Sequence, residues 1–370
     1  RGVDAIMHVI VNRNALLEVL NVASSIVASR TTKEVLKCVR LTTVQDGLLI
    51  SATDLEVALR VQVAQVEVKK SGDLLVPADK LMSITRESVD ETLALQAEDL
   101  ACHIRGQDSH FEIYGQDPRE FPPVPDLEGT PDIQIDAAIL RGIIEKTLFA
   151  VAKENTRYAI NGLLWEKSGK KLALVATDGR RLARAVGAAE SSTGSDTQVI
   201  VPAKTVQVLQ RILGNVEGPV AIRFSENQVI VQGGNYVLSS ALVEGHFPRY
   251  EEVIPKDQDK RLEVSTDELL SAVKRAALLT NEQSKGVRLT FEKEKLVLSS
   301  RAPEQGEATI SMRVEYTGGP LQIGFNPTFL TEALRVVGTP MVTMELKEAN
   351  RPGVIKTDDF LYVVMPVNLS

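Results

Sequence analysis

The sequence predicts an α+β fold made of three tandem copies of one module, each with two helices on antiparallel sheets. Three observations carry that prediction. A strand-to-helix junction recurs as Leu75-Val76-Pro77-Ala78-Asp79-Lys80, Ile200-Val201-Pro202-Ala203-Lys204 and Ile323-Gly324-Phe325-Asn326-Pro327. With Val76, Val201 and Ile323 taken as equivalent, the spacings are 201 − 76 = 125 and 323 − 201 = 122 residues. A strand end, Ala52-Thr53-Asp54, returns as Ala176-Thr177-Asp178, whereas the third copy, Leu298-Ser299-Ser300-Arg301, has lost the Thr-Asp pair. Phe121-Pro122-Pro123 and Phe247-Pro248-Arg249 close the first two copies. Landmarks in one order at one interval define a repeat of roughly 123 residues, and such a period governs the whole architecture.

Each copy opens with a strand and then an amphipathic helix, expected over 14–29, 136–153 and 265–280. Ile139, Leu140, Ile143 and Ile144 form the stripe of a half-buried helix. Ser265 followed by Glu268 has capping-box spacing. Alternating strands come next, as at 172–176 and 296–299. A second helix carries proline in its first turn (Pro77, Pro202, Pro327), where a missing N–H is harmless. Gly214 and Gly338 stand where that helix should stop. More short strands finish the copy, and proline-rich junctions divide the chain into domains 7–126, 127–255 and 256–370. Residues 1–6, ahead of Met7, read as a cloning remnant or an upstream extension.

Composition narrows the class. The chain is 44% hydrophobic and 25% charged, near the globular average, and no run approaches the roughly 18 apolar residues of a membrane span. No secretory signal is visible. Two cysteines, Cys38 and Cys102, lack metal-ligand spacing, which suits a reduced cytoplasmic protein. The net charge of −7 argues against a uniformly basic nucleic-acid-binding surface, yet leaves room for local positive faces.

The residues offer no catalytic centre, metal site or cofactor site. No phosphate-cradling P-loop occurs, and Gly214-Asn-Val-Glu-Gly218-Pro219 reads as a turn. His8, His103, His110 and His246 are scattered, and no nucleophile elbow appears. Asp54 and Asp178 would lie in different domains as an acid–base pair; as turn residues they would accept local backbone hydrogen bonds, the favoured reading. In the second helix of the middle copy, Lys204, Gln207 and Arg211 share one face and Val206, Leu209 and Leu213 the other. Lys80, Arg86 and Arg335 lie on equivalent helices, with Lys153, Lys274 and Arg275 on the first ones. Such a face is either ordinary solvated surface or a layer meeting phosphates.

At this point the residues resemble a known family. Ala176-Thr-Asp-Gly-Arg-Arg-Leu-Ala183, Arg157-Tyr-Ala-Ile-Asn161-Gly162, Phe247-Pro-Arg-Tyr250 with Ile254-Pro255, Asn281-Glu282 with Gly286-Val-Arg-Leu289, and Tyr362-Val-Val-Met-Pro366 resemble the bacterial DNA polymerase III beta subunit, the sliding clamp. The likeness runs in order from Met7 to the end. It implies a non-catalytic processivity factor: a head-to-tail homodimer forming a six-domain ring around duplex DNA, lined by twelve helices. Heterologous interfaces with a closing rotation give rings, and sequence-independent phosphate contacts let a ring slide. The implied partners are the polymerase III alpha subunit, an ATP-dependent clamp loader, and repair polymerases, ligase and mismatch-repair proteins bearing a clamp-binding motif. No cofactor is implied, and the location is cytoplasmic, at the nucleoid.

The resemblance also implies site residues. A peptide pocket would use Ile160, Thr177, Gly179, Arg180, Arg181, Leu182, Pro248, Val253, Asn326, Phe329, Val363, Val364, Met365, Pro366 and Val367. DNA contacts would come from Arg30, Arg157, Tyr158, Lys204 and Arg211. The dimer seam would set Lys80, Phe111 and Ile113 against Leu278, Leu279, Glu304 and Glu307. Lys80 is claimed by both seam and hole, and the seam is preferred. The chain departs from the family where it ends Met365-Pro-Val-Asn-Leu-Ser370 rather than Met-Pro-Met-Arg-Leu, where Arg180 replaces a common histidine, and where Glu154 faces the expected DNA path. The competing reading is a repeat-built peptide scaffold that never encircles DNA; an enzyme comes third, for want of a convergent titratable cluster.

Overall fold

The computed structural model describes residues 7–369 apart from 29, 46, 154–158, 281–285 and 304. The described α-helices are α1 (Arg13–Ala23), α2 (Ala78–Glu87), α3 (Ala137–Glu145), α4 (Ala203–Leu213), α5 (Thr266–Ala276) and α6 (Pro327–Val336). The chain divides into two compact units that do not follow the repeat: each takes part of the middle copy. One holds Arg1–Ala138, Ala189–Gly194 and Lys204–Leu242; the other holds Ile139–Ala188, Ser195–Ala203 and Val243–Ser370.

In the first unit, a five-stranded sheet runs Val66–Lys70, His8–Asn12, Thr92–Glu98, Ala101–Arg105, His110–Tyr114, leaving His110–Tyr114 at an edge. A nine-stranded sheet includes Cys38–Val44, Gly47–Thr53 and Val57–Val63 of the first copy, then Tyr236–Ala241, Gln228–Gly233 and Pro219–Phe224 of the second. The two copies fuse where Val57–Val63 pairs antiparallel with Tyr236–Ala241. Helices α1 and α2 pack on each other, burying Leu16, Leu20 and Leu81 completely.

The second unit repeats this plan. Its eight-stranded sheet joins Lys171–Thr177 and Arg181–Ala188 of the middle copy to Phe360–Val364 of the last, again antiparallel. A four-stranded sheet, Gly306–Arg313, Lys295–Ala302, Val287–Glu292, Leu321–Phe325, leaves Gly306–Arg313 at an edge. Helices α5 and α6 pack together, and Trp165, Tyr316, Tyr362, Phe291 and Phe325 are fully buried. Strands such as Thr92–Glu98 and Lys295–Ala302 bury alternate residues, one face inward and the other in water, whereas Gly47–Thr53 and Lys171–Thr177, inside the large sheets, are buried along most of their length.

Several expectations need correction. The first helices end early, at Ala23, Glu145 and Ala276 rather than 29, 153 and 280. A hydroxyl bonds back to the chain near each end: Ser25 Oγ donates to the Val22 carbonyl at 2.6 Å, Thr147 Oγ1 to Ile143 at 2.7 Å, and, after a short 3-10 turn beyond α5, Thr280 Oγ1 to Ala277 at 2.8 Å. Side chains that bond local backbone carbonyls compete with another helical turn. Ile139 is 40% exposed, so the buried stripe of α3 is Leu140, Ile143 and Ile144. Pro77 and Pro202 end strands just before their helices, and only Pro327 lies inside the first turn. Asn326 caps α6, accepting the Thr328 N–H at 2.9 Å, so Asn326 is the counterpart of Pro77 and Pro202. Phe325, not Ile323, therefore matches Val76 and Val201.

Candidate functional site

The site is built on a turn that the chain makes twice. After Gly47–Thr53, the Thr53 hydroxyl donates to the Val57 carbonyl at 2.9 Å and accepts the Leu55 N–H at 3.0 Å. After Lys171–Thr177, Thr177 does the same with Arg181 at 2.7 Å and Gly179 at 3.2 Å. Asp54 Oδ1 accepts the N–H groups of Glu56 and Val57, and Asp178 Oδ1 those of Arg180 and Arg181. Both aspartates are turn acceptors, as their spacing suggested. Position three of the turn is left-handed, φ 81° at Leu55 and φ 86° at Gly179.

Each turn launches a strand that joins the next copy. In the first unit the Ala241 N–H donates to Glu56 O at 2.8 Å; in the second the Met365 N–H donates to Arg180 O at 2.9 Å. Helix contacts reinforce both joints. Lys204, in the first turn of α4, forms an ion pair with Asp54, and the hydroxyls of Thr205 and Ser240 lie 2.7 Å apart. In the second unit the bridge to the helix starts from the strand instead, where Arg181 pairs with Glu332 on α6.

Arg181 is only 7% exposed, and each of its three side-chain nitrogens is engaged. It donates to Asp178 Oδ2 at 3.1 Å, to the Phe149 carbonyl at 3.0 Å, and to Glu332 on α6. Its guanidinium carbon lies 4.3 Å from the Phe329 ring centre and 5.4 Å from that of Phe149. A planar cation with several donors suits this combination of stacking and forked bonding. Tyr362 donates to the Phe329 carbonyl at 2.9 Å, fixing α6 to the last strand. Burial pushes the Tyr362 phenol above its ordinary range, only partly opposed by nearby Arg181.

The residues expected in the peptide pocket fall into two groups within this second unit. Ile160, Thr177, Arg181, Leu182, Val363 and Val364 are buried, and Leu182 and Val363 pack with Leu164, Val175, Ile200, Tyr250 and Val354. Those six hold the shape from below. Gly179, Arg180, Val253 and Met365 are exposed, while Pro248, Asn326, Phe329, Pro366 and Val367 are half-buried. Phe247, also half-buried on this cluster, was quoted in the family motif but not assigned to the site.

Met365, Pro366 and Val367 continue as a tail beside a groove of about 540 Å³, lined also by Arg288, Gln322 and Asn350. The Val367 N–H donates to Gly324 O at 2.9 Å, and Arg288 Nη2 donates to Leu369 O at 3.0 Å. Leu369 lies flat against two glycines: a Cβ at Gly324 would come within 2.6 Å of Leu369, and one at Gly286 would overlap it. Both glycines stand in motifs of the sequence, Gly324 at the third junction and Gly286 in the family resemblance, but sequence reasoning assigned neither to the site.

Of the expected DNA contacts, Arg211 is exposed on α4 opposite buried Val206, Leu209 and Leu213, and Arg30 is exposed. Lys204, also expected to contact DNA, has its amine against Asp54 and its side chain 47% exposed. Arg157, Tyr158 and Glu154 lie outside the described residues. At the expected seam, Lys80 is exposed, Phe111 is 41% exposed, and Ile113 is half-buried on the same edge strand. Leu278 is 77% exposed beside half-buried Leu279 in the turn after α5. Glu307 pairs with Arg301 at 3.1 Å, and Glu304 lies outside the described residues.

Two of the four histidines are not scattered. His103 Nδ1 and His110 Nε2 meet at 3.1 Å on adjacent strands. Among the described residues no group of three or more His, Cys, Asp or Glu could hold a metal ion, and no helix is long and apolar enough to cross a membrane. Burial pushes the Cys38 thiol up to about 11 and Cys102 to about 12, which disfavours the nucleophilic thiolate.

Comparison with known proteins places this geometry. Residues 7–125, 134–249 and 251–368 match the N-terminal, central and C-terminal domains of the DNA polymerase III beta subunit. The chain is 35% identical over 367 residues to the beta sliding clamp of Pseudomonas aeruginosa, covering 98% of this chain and 100% of the relative. It is 33% identical to that of Escherichia coli K12, with the same coverage. The crystal structure of the P. aeruginosa subunit superposes with a TM-score of 0.89 at 35% identity, and the Bacillus subtilis sliding clamp with 0.93 at 26%. Both matches cover 98% of this chain and 100% of the other.

Proposed function

Because the chain belongs to the DNA polymerase III beta subunit family, we propose that it is a sliding clamp that encircles duplex DNA as a homodimeric ring and tethers the replicative polymerase. It is a non-catalytic processivity subunit, and its work is topological. The observation that carries the reading is that both copy-to-copy joints are made alike: the strand after the Thr-Asp turn pairs with the last strand of the next copy. The equivalent strand of the third copy, Gly306–Arg313, and the last strand of the first, His110–Tyr114, are left as sheet edges. A second copy of the chain supplies the missing neighbour for each, head to tail, and two such joints close a ring.

Unpaired edges are templates for further pairing, so satisfying both in a closed assembly removes that hazard. Phe111, Ile113 and Lys80 would face Leu278, Leu279, Glu304 and Glu307 there, with domains bounded near 126 and 255. Within the ring, Arg211, Arg30, Arg157 and Tyr158 would contact phosphates without reading sequence; Lys204 contributes less, since Asp54 already neutralises it. A body of net charge −7 limits non-specific adhesion, so retention rests on enclosure rather than affinity.

The peptide pocket would lie over Gly179, Arg180, Val253, Phe329, Met365, Pro366 and Val367, with the six buried residues beneath. An apolar surface with few polar groups suits a short linear motif. Its bearers would be the polymerase alpha subunit, the ATP-dependent loader, repair polymerases, ligase and mismatch-repair proteins, acting at the nucleoid in the cytoplasm. Light scattering on the eluting protein, paired with retention on nicked circular and linearised DNA, tests the reading. A dimer of about twice 40.4 kDa that stays on circles and slides off linear ends is expected. A monomer, or equal retention on both DNAs, overturns it in favour of a peptide scaffold.

A further inference from the structure

The repeat allows the unseen copy-to-copy joint to be written residue by residue, an argument that rests on the dimer reading above. In the ladders, Thr53 stands opposite Ala58, Thr177 opposite Leu182 and Ser300 opposite Ala308. All three hydroxyl residues are buried. Arg301 therefore occupies the place of Asp54 and Asp178, and Glu307 that of Val57 and Arg181. On the helix side, α2 and α4 each begin directly after a proline, Pro77 and Pro202. Asp79 is then the counterpart of Lys204, and Lys80 that of Thr205 and, on α6, of Phe329.

At the first joint the turn supplies the acid, Asp54, and the helix supplies the base, Lys204. At the open joint the same two places hold Arg301 on the turn side and Asp79 on the helix: the polarity is inverted. We propose that in the assembled protein Arg301 of one copy pairs with Asp79 of its partner copy, at each seam. This pair stands beside Glu307 and Lys80, whose counterparts Arg181 and Phe329 are in contact at the second joint. The four charges alternate, Asp79, Arg301, Glu307, Lys80, so each has an opposite neighbour.

The free ends are prepared for this. Arg301 Nε and Glu307 Oε1 are 3.1 Å apart with side chains 79% and 67% exposed. Lys80 and Asp79 are 3.9 Å apart and 67% and 73% exposed. Such exposed pairs contribute little by themselves, yet complementary charges fix register and exclude wrong partners when an interface forms. The inverted polarity also makes the seam unlike the joint within the chain: Arg301 would meet Lys204 as a like charge, so the helix of the middle copy is a poor substitute for α2.

The test is a charge-swap cycle on the full-length chain, reading the dimer dissociation constant by sedimentation at low salt. Arg301→Asp and Asp79→Arg should each raise it about ten-fold or more, because both seams acquire a like-charge contact. The doubly swapped chain should return to within about three-fold of the parent, the sign of direct coupling. All these side chains are mostly exposed, and circular dichroism on each variant checks that folding is intact. Single effects that simply multiply in the double variant, or singles without effect on a dimeric parent, overturn the pair while leaving the dimer standing. A parent chain that is monomeric at micromolar concentration removes both.

Discussion

Lys204, at the start of α4, forms an ion pair with Asp54, the carboxylate that also accepts the Glu56 and Val57 N–H groups. The lysine side chain is 47% exposed and the aspartate only 11%, so the two partners are unequal. Asp54→Ala should cost about 1–2 kcal/mol through the lost backbone acceptor, while Lys204→Ala should cost under about 1 kcal/mol. Urea unfolding measures both. Arg211→Ala, with no ion-pair partner among the described residues, should weaken DNA binding more than Lys204→Ala and lower the salt slope by about one. Equal losses from the two variants would show that Asp54 does not weaken the Lys204 contact.

Leu55 and Gly179 hold the same left-handed place, but only glycine adopts it freely. Leu55 is 57% exposed, so trimming its side chain forfeits little burial. Leu55→Gly should therefore be neutral or stabilise by up to about 1 kcal/mol, whereas Gly179→Ala should destabilise by about 1 kcal/mol. Thermal melts compared side by side give the sign of each.

Arg181 ties together Asp178, Phe149 and Glu332 beneath the proposed pocket. Arg181→Met keeps much of the volume but strands Glu332 and the Phe149 carbonyl, and should cost about 2–4 kcal/mol. Arg181→Lys should recover only part of this, since an ammonium cannot stack and fork together. Calorimetric binding of a polymerase-derived peptide should weaken in both variants, more in the methionine one.

The tail depends on bare backbone at Gly324 and Gly286. Gly324→Val should push Leu369 off its seat without unfolding the sheet, and peptide affinity should fall while the dimer persists. Deleting residues from Met365 onward should abolish peptide binding, also with the dimer intact. Normal peptide binding by the truncated chain would refute the pocket assignment.

Asp359 accepts from Lys146 at 2.5 Å and from Thr357 at 3.0 Å. Burial alone would raise its pKa, but these hydrogen bonds and the lysine charge outweigh it and hold the carboxyl below its ordinary value. A folded-state pKa below the unfolded value of about 4 stabilises above that pH, and the gain disappears as pH falls through the folded value. The stability gap between the parent and Asp359→Asn should be full near neutrality and close on acidification. A gap constant down to pH 2 would contradict this.

Much of the fold was legible because it is periodic. A recurring Thr-Asp at 53–54 and 177–178 reports a turn whose hydrogen bonds are local, so a short stretch of sequence suffices to specify it. The Ser265 cap and the two faces of α4 were legible for the same reason: their partners lie within a turn or two. Helix ends were less so, because Ser25 and Thr147 act through hydroxyl bonds that propensity does not register. The third junction was misaligned by two residues because strand length, not motif, sets where α6 begins.

The chain alone therefore determined the three-fold duplication, the turn chemistry and the membership that its motifs announce. The folded molecule decided which side chains meet across long separations. It gave Lys204 to Asp54, set Arg181 against two aromatic rings, brought His103 to His110, and laid Leu369 over Gly324. Contacts of that kind depend on strand register and on the angle at which elements pack. Neither is encoded in a local window, since each is settled by how the whole core closes.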